Sequence, residues 1–190
     1  MKSAESLSSF TDVQVIQGWI PKWWNRWFLF IASSIFKRDL RKSFNKRTPP
    51  GIKKNISLGI PEILRWCINL MKIDMLRLPG YINSFYGFMS RKYIKDSDIL
   101  HVRSGSGGGG AIEKARKEGM KIIVDHSIAH PVFLDRNLRE EYNKNGMVFN
   151  LGIDSKVWQN VIEDCKKADI LLVNSQFVKD TFTSEGFPTE

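Results

Sequence analysis

The chain has 190 residues, 42% of them apolar, and a formal net charge of +9, a content sufficient for one large packed domain. Its two cysteines, Cys67 and Cys165, stand far apart, which argues against a disulfide framework or a zinc ribbon and fits a reducing compartment. The first ten residues lack an apolar core, and the longest apolar candidate, Trp27–Phe36, has ten residues against the ~20 a bilayer requires, so neither a secretory leader nor a transmembrane helix is expected.

The charge is unevenly placed. Residues 1–95 hold 17 Lys and Arg against 5 Asp and Glu, a net +12, whereas residues 96–190 hold 12 against 15, a net −3. A basic half joined to a mildly acidic one points to an anionic partner facing one region: lipid headgroups, nucleic acid or a phosphorylated substrate. A merely solvated basic surface is the plain alternative.

In chain order, residues 1–10 are polar and are expected to form a disordered tail, with one domain spanning 11–190. Val13–Gln17 reads as a strand closed by Gly18 and Pro21. Trp23–Phe36 reads as an aromatic helix with a basic end at Lys37, Arg38, Arg41 and Lys42. Asn45–Asn55 is a basic loop. Pro61–Ile73 opens with proline at a helix-starting position and carries Ile63, Leu64, Trp66, Cys67, Leu70 and Met71 at helical spacing. Pro79-Gly80 is expected to break the chain before a helix over Ile82–Ile94.

The stretch Asp98–Ser127 is the most informative. Ile99–Val102 reads as a strand. Arg103–Gly110 holds five glycines and two serines. Ala111–Glu118 has helical composition with Gly119 as its stop, and Ile122–Val124 is a second strand ending at Asp125 and His126. This is a β-α-β unit, so a parallel sheet is expected. Ligands of such sheets collect at the carboxyl ends of the strands. Downstream, Pro131–Asn143 and Ser155–Ala168 read as helices, Ile170–Val173 as a buried strand, and Phe177–Ser184 as a helix capped by Ser175 and stopped at Gly186.

Several motifs carry chemistry. Gly105-Ser106-Gly107-Gly108-Gly109-Gly110 matches G-x-G-x-x-G after a strand and before a helix, with Asp125 twenty residues on, the outline of a dinucleotide fingerprint. The short helix and mid-chain position weaken that reading; close approach of another ligand, or a merely flexible connection, are the alternatives. His126 and His130 are four apart but leave a strand and have no Glu or Cys beside them to complete a ligand set, so no metal site is expected. A polar cleft lining suits them better, since imidazole donates or accepts near a sugar hydroxyl at neutral pH; a buried structural role is the alternative. His101 lies inside a strand and reads as structural. Trp19, Trp23, Trp24, Trp27, Phe28 and Phe30 interleave with Lys22 and Arg26, an interfacial composition. Bases could stack there, but no nucleic-acid-binding motif accompanies them.

The segments DILHVRSGSGGGG, AIEKARKEGMKIIVDHSIAHP, LREEY and VIEDCKKADILLVNSQFVKDTFTSEGFPTE, in that order, resemble the N-terminal domain of bacterial glycosyltransferase family 4 enzymes. The resemblance covers residues 96–190 well and 12–95 weakly. It implies a Rossmann-like α/β fold, the N-terminal half of a GT-B architecture, and a retaining transferase that uses a nucleotide sugar as co-substrate with no further cofactor. It places His126 or His130 near the reacting sugar, Arg103, Ser104, Gly107, Gly108 and Gly109 on the acceptor side, Glu141 in support of the histidine loop, and Ser175 facing the interdomain cleft. The nucleotide-sugar domain with its paired glutamates is not seen after Glu190, so the chain is expected to be a fragment, inactive alone, or to pair with a partner chain carrying that domain. The implied acceptor is a glycan or lipid-linked glycan in cell-surface polysaccharide synthesis, at the cytoplasmic face of an anionic plasma membrane, with no nucleic acid bound. An NAD-dependent oxidoreductase and a non-enzymatic membrane-surface module are the rival readings.

Overall fold

The computed structural model describes residues 6–18, 30–31, 33–34, 52, 54–70, 78–150 and 152–188, without the side chains of Trp66, Asn69 and Leu70. The chain divides into two compact units, Met1–Leu64 and Arg65–Glu190, where the sequence reading has one domain over 11–190. Both are α/β with parallel strands, and the larger is Rossmann-like.

In the first unit, residues 6–10, within the expected tail, form a helical turn in which the Phe10 and Thr11 amides donate to the Leu7 carbonyl. Strand β1 (Gln14–Gly18) pairs in parallel with β2 (Lys54–Leu58), in register from Gln14 opposite Lys54 to Gly18 opposite Leu58. β2 lies partly inside the stretch read as a basic loop, and Leu58 at its end is buried. Helix α1 (Gly59–Leu70) follows without a break, and the boundary between the units, after Leu64, falls within it. The aromatic helix expected over 23–36 falls almost wholly outside the described residues.

The second unit holds α2 (Leu78–Ser90), a 3-10 turn (Arg91–Tyr93), β3 (Ile99–Arg103), α3 (Ala111–Lys117), β4 (Lys121–His126), α4 (Pro131–Lys144), α5 (Lys156–Lys166), β5 (Ile170–Val173) and α6 (Gln176–Ser184). Pro79-Gly80 does not break the chain: both residues lie in the first turn of α2. Proline costs nothing there, because its missing N–H would have no intrahelical partner and its φ is already helical. Gly80 is needed for packing, since a Cβ would stand 2.5 Å from the Lys156 backbone carbon.

β3, β4 and β5 form a parallel sheet in that order. The pleat sends alternate side chains to opposite faces. One face carries Ile122, Val124 and His126 of β4, all buried, and is covered by Ile112 and Ala115 of α3, Val161 and Cys165 of α5, and Val178 and Phe182 of α6. Burying each aliphatic side chain of that size stabilises by about 1.5–3 kcal/mol. The other face carries Ile99, Ile170 and Leu172, which stay exposed. The carbonyl of Ile122 accepts from the Asp169 amide, and the Asp169 carboxylate accepts from the Ile122 amide at 2.7 Å. This reciprocal pair sets the register of β5 on β4.

The glycine loop between β3 and α3 rests on α2. A Cβ at Gly87 would fall 1.8 Å from the Gly108 carbonyl oxygen, and one at Gly109 would fall 1.9 Å from the Ser84 carbonyl oxygen. The loop therefore approaches the helix as closely as backbone can. Replacing Gly87 by Ala is expected to displace the loop and cost about 1–3 kcal/mol, as overpacking does. Urea unfolding of Gly87→Ala beside the parent chain measures it.

Candidate functional site

The carboxyl ends of β3, β4 and β5 converge on one polar edge. Arg103 closes β3 and stands opposite Asp125 in register. Its Nη2 donates to the Ser127 hydroxyl at 3.1 Å. Asn174, just after β5, donates through Nδ2 to the Ser127 carbonyl at 3.1 Å. Arg103 and Asn174 are exposed while Asp125 and Ser127 are half-buried, so the edge offers cationic, carboxylate, hydroxyl and amide groups. Such a mixture suits hydroxyl-rich or partly charged small ligands.

Beneath this edge, Ser104 and His126 form a short contact, Oγ to Nδ1 at 2.7 Å. His126 Nε2 faces the Ala129 carbonyl at 3.5 Å. One neutral tautomer serves both: hydrogen on Nε2 toward Ala129, with Nδ1 accepting from the Ser104 hydroxyl. The ring lies edge-on to Phe182 at 4.9 Å and is 2% exposed. His130 is 3% exposed. Its amide donates to the Thr181 hydroxyl at 3.0 Å, and its Nδ1 caps α4 by accepting from the Val132 amide at 3.3 Å. Its Nε2 has no hydrogen-bond partner and lies among Phe182 and Phe187. Burial, above all, holds both imidazoles below the usual histidine pKa, so both are neutral at pH 7.

The glycine loop has its own anion. Asp164 of α5, 1% exposed, accepts through Oδ2 from the amides of Gly105 and Gly107, each at 2.8 Å. Burial raises its pKa to about 6, while the two amides and then Lys167 pull the other way, so it is ionised at neutral pH. One turn earlier, Asn160 donates through Nδ2 to the Gly80 carbonyl at 2.8 Å and to the Ser84 hydroxyl at 2.9 Å. Asp164 and Asn160 thus tie α5 to the loop and to α2. Two amides that would cradle a pyrophosphate in a dinucleotide fingerprint are already occupied, and the helix after them has only seven residues.

The structure brings together Arg103, Ser104, His126 and the loop glycines. Gly107 and Gly109 face protein: a Cβ on Gly107 would meet Ile112, and one on Gly109 would meet α2. Gly108 supplies the carbonyl packed on Gly87. Glu141 stands apart. It sits ten residues along α4 from Pro131, about 15 Å by helical rise, and pairs with Lys144 at 3.6 Å in solvent. Ser175 caps α6, its hydroxyl accepting from the Val178 amide at 3.3 Å. His101 is exposed on β3. Among the described residues, no three His, Cys, Asp or Glu side chains gather as a metal site would require. The sequence reading missed Asp164, Asn160 and Asn174. A signal existed for the first two: they interrupt, four residues apart, the apolar stripe that Val161 and Cys165 place on the core side of α5.

No known protein family, curated protein or solved structure matches the chain.

Two expectations follow from this geometry. Asp164→Ala leaves two buried amides without an acceptor and should cost about 2–4 kcal/mol, read as a lowered urea midpoint. The pH dependence has two opposed contributions. The histidines, with folded pKa values below the unfolded 6.5, add stability that is complete above that value and is lost as pH falls beneath it. Asp164, raised from 3.8 to about 6, adds stability as pH falls through 6. Asp164→Asn removes the second contribution, so its urea midpoint should fall more steeply between about pH 7 and pH 5.5 than that of the parent.

Proposed function

We propose that the second unit is the acceptor-side half of a GT-B glycosyltransferase similar to family 4, and that it binds the glycan or lipid-linked glycan to which a sugar is passed from a nucleotide-sugar donor. The observation that carries this reading is the edge where Arg103, Asp125, Ser127 and Asn174 meet at three successive strand ends of a parallel sheet. Strand carboxyl ends are where open α/β sheets bind their ligands, and mixed donors and acceptors match sugar hydroxyls. The sequence resemblance over 96–190 supports the same assignment.

In this reading His126 works from beneath the edge. Both of its ring nitrogens are engaged within the fold, so it positions Ser104 and the start of the glycine loop without exchanging a proton with the sugar. Arg103 and Asn174 are the residues that touch the acceptor. A donor-binding wall is also required to orient the reacting groups, whether it comes from further sequence or from a partner chain. The oxidoreductase alternative draws no support from the glycine loop, because Asp164 sits where the pyrophosphate would.

Saturation-transfer NMR on the full chain tests this, with a panel of neutral and acidic oligosaccharides and with NADH as the competing ligand. Saturation should pass to at least one oligosaccharide, and Arg103→Ala with Asn174→Ala should weaken that binding about tenfold, the loss of roughly 1.4 kcal/mol expected for hydrogen bonds that include a charged group. Binding of NADH alone, or glycan binding untouched by the double substitution, would overturn the assignment.

A further inference from the structure

We propose that Phe177 is a stacking platform for a second sugar ring, so that the acceptor is recognised as a disaccharide or longer and not as a single sugar. The proposal rests on the acceptor-binding reading of the polar edge and adds to it a subsite and a minimum acceptor length.

Phe177 occupies the first turn of α6. The core side of that helix carries Val178, Thr181 and Phe182, all buried. Phe177 lies off that side and is 60% exposed. A single exposed apolar residue means little by itself, but this one is both placed and braced. Helices α4 and α6 follow β4 and β5, so their first turns, with Phe133 and Phe177, stand at the same end of the sheet as the polar edge. The two rings meet edge to face, with centroids 5.9 Å apart and planes 80° apart. The Arg136 guanidinium lies 5.7 Å from the centroid of the Phe133 ring. Ile128, next to Ser127 in the loop after β4, is also exposed. Asn174, which reaches the Ser127 carbonyl, precedes Phe177 by three residues, at most about 10 Å of chain. That is the reach of two linked sugar rings.

The occupant is chosen by chemistry. A pyranose carries hydroxyls around its rim and C–H bonds on its faces. Arg103, Ser127 and Asn174 answer a rim with donors and acceptors but offer nothing to a face. The electron-rich face of an aromatic ring does, because its quadrupole attracts the weakly positive C–H hydrogens. A ring already packed against Phe133 gives up little further freedom when a sugar stacks on it. A stable protein partner takes about 20–30 residues a side, whereas the exposed apolar cluster here is Ile128 and Phe177. A stacked nucleic-acid strand would bring phosphates to a half of the chain, residues 96–190, that is net −3, which opposes it.

Saturation-transfer titrations of the full chain compare one ring with two: methyl β-glucoside against methyl β-cellobioside, and galacto- and manno-configured pairs of the same kind. The disaccharide of at least one pair should bind about tenfold more tightly than its monosaccharide. Phe177→Ala should remove that advantage and leave the monosaccharide's affinity unchanged. Phe177→Trp should keep the advantage, and Phe177→Leu, apolar but without a π face, should lose it. The side chain is exposed, so the urea midpoints of these variants should match the parent. Equal affinity for one ring and two overturns the subsite while leaving the Arg103 and Asn174 assignment intact. So does a disaccharide advantage that survives Phe177→Ala, or an equal loss for both sugars. Uridine held by Phe177 in preference to every saccharide overturns it too, since the ring would then stack a base. Absence of binding by all saccharides overturns the acceptor assignment and the subsite with it.

Discussion

The second unit is organised around one buried charge. The Asp164 carboxylate has left water for a site where its solvation comes from two backbone amides of the glycine loop. Burying an ion is costly, and removing its partners leaves that cost uncompensated. The loop is therefore held in the one conformation that presents the Gly105 and Gly107 amides to the same oxygen. Gly105, Gly109 and Gly110 take positive φ values, which side chains with a Cβ resist. The glycine content of the loop thus follows from its contact with α5 and α2, and a loop held this way carries Ser104 to His126 at fixed distance.

From that anchor the polar edge gains its rigidity. Ser104 continues the β3 ladder by donating its amide to the Asp125 carbonyl, so its hydroxyl and the His126 ring meet without a flexible intermediary. His130 ties the next loop to α6 through Thr181, and three aromatic contacts surround the two imidazoles. Groups intended to meet a ligand are most precise when the layer behind them is packed and satisfied. Here that layer is two neutral histidines and a Phe182 ring, with Arg103 and Asn174 as the outer surface.

Much of this fold was legible in the sequence. The β3–α3–β4 unit and β5 were readable because short β-branched runs, a glycine loop and helix-forming residues alternate without ambiguity, and Ser175 was readable because a serine just before a helix has one common use. β2 was not, since Lys54 and Asn55 look like loop and only two of its five residues are apolar. Pro79-Gly80 was misread because the same pair that ends a helix also suits its first turn. The site was less legible than the fold. Arg103, Ser104 and His126 end strands and could be found by position, but the partner of the glycine loop lies in another helix, and nothing local to the loop announces it. Glu141 was assigned a supporting role by resemblance, although the expected helix over Pro131–Asn143 already set it about 15 Å along the axis from the histidine loop. The aromatic cluster at 19–28 lies outside the described residues, whereas the exposed ring of Phe177 on α6 emerged only from the burial pattern, because periodicity alone does not say which way an apolar face points.

The Asp164 contact also fixes an order of events. Gly105 and its acceptor are 59 residues apart in sequence, so the contact closes a long loop, and the loop-closure entropy must be met before the hydrogen bonds form. During synthesis, β3 and the whole glycine loop leave the ribosome well before α5 exists. For that interval the five glycines have no carboxylate to gather them and no α5 to press them onto α2, and the carboxyl ends of β3 and β4 are without the floor they later share. The polar edge is thus among the last parts of the unit to acquire its shape, and a chain interrupted before residue 164 would carry every residue of β3, β4 and their loops while lacking the one side chain that arranges them.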